Sequence, residues 1–134
     1  MISSIYLFNN EIVKSHLASP DAALPVKTLD RQLKLFVWGR RPNEQGMLPV
    51  GGNLHFRDLK NGLYDKYFPK HRKIIISEYQ LQRDIGNDWH SLTNKQFVHG
   101  VVLKEDHEIR LYVVTLSSSQ VRDQFVLPRI LFEP

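Results

Sequence analysis

A β-dominated α+β fold is expected, with a mixed or antiparallel sheet, or a barrel-like form of one, and two short helices. Three observations carry this. Residues 97–103 (FVHGVVL) and 109–116 (IRLYVVTL) bracket the polar stretch Lys104-Glu105-Asp106-His107-Glu108, the pattern of a hairpin. Residues 2–8, 33–38 and 73–79 are further short runs rich in β-branched and aromatic side chains. Helical spacing is confined to one clear stretch, residues 56–67, with a second short segment near the C-terminus.

Taken in order, ISSIYLF (2–8) alternates loosely and reads as a strand. Residues 17–27 (LASPDAALPVK) hold two prolines among small residues and read as a loop. LKLFVW (33–38) alternates and ends at Gly39. Residues 39–53 (GRRPNEQGMLPVGGN) form a long Gly- and Pro-rich loop, a length usually kept for function or motion. Phe56, Leu59, Leu63 and Tyr67 recur at i, i+3, i+7 and i+11, a helix face that Gly62 weakens by about 1 kcal/mol and Pro69 stops. KIIISEY (73–79) is the most apolar strand and is expected at the sheet centre. Residues 82–95 are polar, with a turn at Gly86-Asn87-Asp88 and Trp89 as an anchor. After the 97–116 hairpin, Ser117 to Ser119 offer N-cap oxygens for a short helix through SSQVRDQF, Pro128 ends it, and Ile130 to Phe132 make a last strand. The count comes to about five or six strands.

Length and composition set the exclusions. A chain of 134 residues, 42% apolar and 24% charged, is expected to fold as a single domain over 1–134. It holds no Cys, which removes disulfides, thiolate metal sites and cysteine nucleophiles. No apolar run is long enough to span a bilayer, and the N-terminus lacks a basic region and a small-residue cleavage site. The expectation is a cytoplasmic protein without membrane, metal or cofactor. No phosphate-binding glycine loop, zinc-protease helix or nucleophile elbow is present, and none of the six histidines pairs with another at metal-ligand spacing.

The charge is localised. Residues 55–73 carry Arg57, Lys60, Lys66, Lys70, Arg72 and Lys73 against Asp58 and Asp65, and so account for the whole net charge of +4. His55 and His71 flank them, and Tyr64, Tyr67 and Phe68 are interleaved. Cations among aromatic rings are what a single-stranded nucleic-acid groove uses, for phosphate neutralisation and base stacking. A solvated basic helix face with its aromatics turned to the core has the same signature. Glu78, in an apolar strand, is either an acid/base group with a raised pKa or a carboxylate at an edge or in a salt bridge.

The order of landmarks resembles the SOS response-associated peptidase (SRAP) family. Trp38-Gly39-x-x-Pro42 stands where that family has WGLxPxW, Asn53 where it has NARxE, and KIIISEYQL where it has the GxYEW strand. VHGVV is similar to AGLW, LYVVTLSSS to the strand ending in Thr115 and small residues, QFVLPRIL to HxRMPxIL, and Pro25 to the proline of NxAP. The resemblance runs from about residue 20 to 132, by order and spacing more than identity. It implies a domain that binds single-stranded DNA. In the family an N-terminal Cys forms a covalent adduct with abasic sites, assisted by Glu and His. Here those positions hold Ile2, Gln80 and Gln124, and the bulk of Ile2 disfavours removal of Met1. The family's loop Trp and its segment beyond the final motif have no counterpart before Pro134.

The implied function is a chemically silent SRAP-like pseudoenzyme that binds single-stranded or damaged DNA. Its DNA-facing residues would be Arg40, Arg41, Asn53, His55, Arg57, Lys60, Lys70, Arg72 and Lys73, with Trp38, Tyr64 and Tyr67 as stacking platforms. The alternative is a catalytically dead protein-interaction module, regulatory or from a mobile element, that keeps the fold without the DNA. An enzyme of another type would draw on Glu78, Asn53 and His55 or His99.

Overall fold

The structure, a computed structural model, describes the backbone of residues 2–8, 11–15, 22–81, 89–117 and 126–134, and the side chains of 22–79, 89–116 and 127–134. Twelve strands are present among these residues. β9 (Gln96–Glu105) and β10 (Glu108–Ser117) form the expected hairpin, closed by Asp106-His107. Asp106 adopts φ 51°, a left-handed conformation that Asp tolerates better than most residues.

Both faces of this hairpin are buried. Val98, Val102, Leu111 and Val113 pack to one side with Leu24, Val26, Trp38 and Ile74. Val101, Leu103, Tyr112 and Val114 pack to the other with Leu48, Leu54, Leu59 and Tyr67. Burial on two faces is why these strands read as nearly continuous apolar runs rather than as alternation.

The remaining elements are arranged around the hairpin. β3 (Ala23–Lys27), β4 (Leu33–Val37) and β6 (Lys70–Ile74) extend it beyond β9, in the order β10-β9-β6-β3-β4, all antiparallel. β5 (Asn53–His55) runs parallel beside β10. β11 (Val126–Pro128) pairs with the end of β10 and β12 (Ile130–Phe132) with the start of β9, so the C-terminal segment sits in the fork where the hairpin opens. Of the two forms expected, the sheet takes the open, mixed one. Past its far edge the chain meets β10 at an isolated bridge, Trp38 to Leu111, without closing a barrel. A second, antiparallel sheet has the order β2-β1-β7-β8, from β1 (Ile2–Phe8), β2 (Glu11–Ser15), β7 (Glu78–Leu81) and β8 (His90–Ser91).

Several expectations are corrected. The 17–27 loop contains β3, with Pro25 inside it. The ladder to β6 spans only Val26 and Lys27, so the proline interrupts no pairing there. The 73–79 run is not one central strand. Ile74 ends β6 in the larger sheet and Glu78 starts β7 in the smaller one, so the run passes from one sheet to the other, with Ile74 and Ile76 in the first core. The 56–67 helix is only α1 (Phe56–Lys60), followed by a 3₁₀ turn over Asp65–Tyr67. Gly62, at φ 83°, redirects the chain rather than weakening a longer helix, and Leu63 is left exposed. Trp89, expected as an anchor, is exposed. The turn at 86–88 and the helix through 118–125 lie outside the described residues. Among the described residues no helix is long and apolar enough to cross a membrane.

Gly39 joins β4 to the loop over the second core. It has φ 63°, and a Cβ there would overlap the Gly51 carbonyl and the Gly52 Cα. Gly39→Ala is therefore expected to destabilise the protein by more than about 2 kcal/mol in urea denaturation, through strain and backbone overlap together. Gly51→Ala, which meets nothing within 4 Å, is expected to cost less although it too has positive φ.

Candidate nucleic-acid interface

The 39–53 loop spends its arginines on itself. Arg40 Nη1 donates to the Leu48 carbonyl at 2.7 Å, its Nη2 donates to the Glu44 carbonyl, and its backbone pairs with Gly51. Arg41 is 6% exposed. Its Nη1 and Nη2 donate to the carbonyls of Trp38 and Gly39 at 2.9 and 3.0 Å, and its Nε contacts Glu44 Oε1. Arg110 reaches Glu44 Oε2 at 2.9 Å. Burial works against ionisation of Glu44, yet Arg41 and Arg110 hold its pKa down to about 2. The structure thus places Arg40 and Arg41 as internal ties of the loop, not on the open face expected of DNA-binding side chains.

Two of the three expected stacking platforms are also internal. Trp38 is fully buried, its Nε1 donating to the Gly52 carbonyl at 2.9 Å. Tyr67 is buried with its hydroxyl on the Met47 carbonyl, and Tyr64 packs against the second core. Trp38 and Tyr67 present no free face to a base, and Tyr64 is half-buried. The aromatic ring that stands out from the basic segment is Phe68, 71% exposed at a left-handed corner between Lys66 and Lys70. Interleaving alone did not reveal which ring faces outwards.

The other cations are where a polyanion can reach them. Arg57, Lys60, Lys66 and Lys70 are exposed, and among the described residues none lies within ion-pairing distance of a carboxylate. Lys60 sits over the Phe56 ring and Lys66 over Tyr67. Arg72 is partly buried, its Nη1 on the His71 carbonyl at 2.9 Å. Lys73 pairs with Glu133 at 2.8 Å. His55 caps α1, its Nδ1 accepting from the Arg57 amide at 3.1 Å, and Asn53 Oδ1 is buried without a hydrogen-bond partner.

Beside this face lies a groove of about 910 Å³. His71, Arg72, Lys73, Lys27, Arg31 and Lys34 line it, along with Asp30, Glu133 and an apolar floor that includes Phe97. At its His71 end is a cluster that sequence spacing gave no means of finding. Arg129 occupies the fork between β9 and β10. Its amide donates to the Val114 carbonyl and its carbonyl accepts from the His99 amide, both at 2.9 Å. Its side chain lies 4.1 Å from the Phe56 ring centre, with Nη1 2.9 Å from His99 Nδ1. His99 Nε2 is 2.7 Å from His71 Nδ1.

An arginine only donates, so His99 Nδ1 accepts, Nε2 carries the proton and His71 Nδ1 accepts in turn. The chain therefore runs one way, and His71 presents an N–H outwards. Burial, with the charges of His71 and Arg129 beside it, lowers the His99 pKa to about 4. The only signal in the sequence was the register of two strands not yet known to pair: Lys73 opposite His99, and His71 two residues back on the same face.

The residues of the alternative enzyme reading are not assembled. Glu78 lies in the smaller sheet, where its carboxylate accepts from Ser91 Oγ at 3.4 Å and from nothing else among the described residues. Ile2 pairs with Leu81 and Ser3 with Gln80 across β1 and β7, and Gln124 lies outside the described residues. Among the described residues no group of three or more His, Asp or Glu is placed to hold a metal. No family model, curated protein or solved structure matches the chain.

The depressed His99 pKa makes stability pH-dependent. A group whose pKa is lowered on folding contributes fully above its unfolded value and loses that contribution as pH falls through the folded one. His99 is thus expected to cost roughly 2–3 kcal/mol of stability between pH 6.5 and 4. Urea denaturation across that range is expected to show this loss in the wild type. His99→Gln, less stable at pH 7, is expected to lack that part of the slope.

Proposed function

We propose that the protein is a non-enzymatic, cytoplasmic binder of single-stranded DNA, a reduced SRAP-like domain. In this reading Arg57, Lys60, Lys66 and Lys70 neutralise phosphates and the groove carries the strand onward past Arg72 and Lys73. The observation that carries it is the set of exposed cations, unpaired among the described residues, on the segment that leads through Lys70 into a groove where Lys27, Arg31, Lys34, Arg72 and Lys73 outnumber Asp30 and Glu133. Phe68 takes the stacking role expected of Trp38, Tyr64 and Tyr67. The one-way histidine chain supports a binding role. His71 offers a donor rather than a lone pair, and His99 is tied to Arg129, so neither is set up as a general base. Ile2, Gln80 and Gln124 in place of the family's reacting groups point the same way.

One observation favours the protein-interaction reading. β4 is an edge strand with Leu35 and Val37 exposed, a surface on which a partner strand adds.

Fluorescence anisotropy of a labelled oligonucleotide over a range of salt separates the two. Phosphate binding weakens steeply with salt, with a slope of about 0.7 per phosphate neutralised on a single strand. Arg57/Lys60/Lys70→Ala is expected to weaken binding at least tenfold and to lower the slope by about 2. Binding by this variant equal to the wild type makes the basic face a solvated surface only. No binding at low salt overturns the DNA reading and turns attention to the β4 edge.

A further inference from the structure

Lys27 and Lys73 stand directly opposite each other on β3 and β6, on the face that forms the groove. Like charges opposed across a sheet are destabilising unless something lies between them. Here that is the Glu133 carboxylate, which follows β12. Its Oε2 is 2.8 Å from Lys73 Nζ, and its Oε1 is 3.7 Å from Lys27 Nζ. The fit is incomplete, because Oε1 is buried and has no hydrogen-bond partner. Lys73 also lies over the Phe97 ring, 5.0 Å from its centre, and Lys34 over Phe36. Arg31 and Arg72 line the same groove. One planar carboxylate thus serves two lysines, hydrogen-bonding Lys73 and holding Lys27 only by a longer ion pair. A phosphate dianion carries more charge than the carboxylate and directs its acceptors out of one plane, and so can approach both lysines closely.

We propose that the Lys27–Lys73 pair is a phosphate-binding site in which the Glu133 carboxylate is the resident stand-in that an incoming phosphate displaces. The phosphate belongs either to a nucleic-acid strand or to a small phosphorylated molecule. The first source rests on the DNA reading above, and the site itself does not. Competition by Glu133 gives the site a built-in threshold, since a ligand must outbid a carboxylate already in place.

The test is a titration of the full chain with inorganic phosphate at constant ionic strength, followed by the backbone amide signals of Lys27, Lys73 and Glu133. Glu133→Gln is expected to bind phosphate at least fivefold more tightly than the wild type. It keeps the side chain's shape and one acceptor oxygen for Lys73 while removing the charge, so the fold is retained. Lys73→Ala added to Glu133→Gln is expected to abolish the gain. Glu105→Gln, the same charge change at the hairpin tip, is expected to leave affinity unaltered. A Glu133→Gln affinity within twofold of the wild type overturns the proposal. So does an equal gain in Glu105→Gln, or no phosphate binding by either protein. An oligonucleotide with hydroxyl ends then separates the sources. Tighter binding of it by Glu133→Gln assigns the site to strand phosphates. A gain confined to inorganic phosphate assigns it to a small ligand. If no oligonucleotide binds while phosphate does, the DNA reading fails and the site stands. If oligonucleotide binds but Glu133→Gln leaves phosphate affinity unchanged, the reverse holds.

Discussion

Val98, Val102, Leu111 and Val113 point to one side of the β9–β10 hairpin, and Val101, Leu103, Tyr112 and Val114 to the other, and neither set is left to water. A two-stranded ribbon with two apolar faces cannot be stable alone; each face needs a cover. β3, β4 and β6 cover the first. The 39–55 segment and α1 cover the second, and the demands of that cover settle what the loop's polar groups do. Trp38 crosses to the Gly52 carbonyl, Tyr112 donates to the Pro49 carbonyl, and Arg40 and Arg41 tie carbonyls that would otherwise be buried unpaired. A loop so occupied has no arginines left for a ligand.

The same hairpin shapes the face that bears the groove. β9 and β10 separate past Gly100 and Val113, and Arg129 bridges the opened ladders with its backbone. A residue held on both sides of its peptide unit has a fixed side-chain origin. The guanidinium is thereby set against Phe56 and His99, and His99 in turn orients His71 at the groove. Core packing is thus connected to a surface donor through three side chains, with no acidic residue among them. On the far side of β6 the opposed lysines meet Glu133, which follows β12. The groove inherits its charge pattern from strand register.

What the sequence showed clearly was whatever depends on local order. The hairpin, the 33–38 strand and the closing strand at Ile130 to Phe132 follow from apolar runs bounded by turn residues. The basic segment was visible as charge. Orientation was not. Trp38 and Tyr67 turn inward and Tyr64 is half-buried, while Phe68 turns out, because α1 ends after one turn and Gly62 shifts the helical face on which the 56–67 spacing depended. β3 was hidden because Pro25 reads as a breaker. It is admitted where its neighbour's ladder is only two residues long. The His71–His99–Arg129 chain draws on three strands distant in sequence, and pairing register is not encoded in any one of them.

The central claim is that the basic face and its groove contact a single strand. Chemical-shift mapping of the labelled protein with an oligothymidylate tests it most directly. The account predicts changes clustered at Arg57, Lys60, Phe68, Lys70, Arg72 and the groove wall, with the interior loop arginines Arg40 and Arg41 undisturbed. Changes confined to the β4 edge, or none at low salt, contradict it.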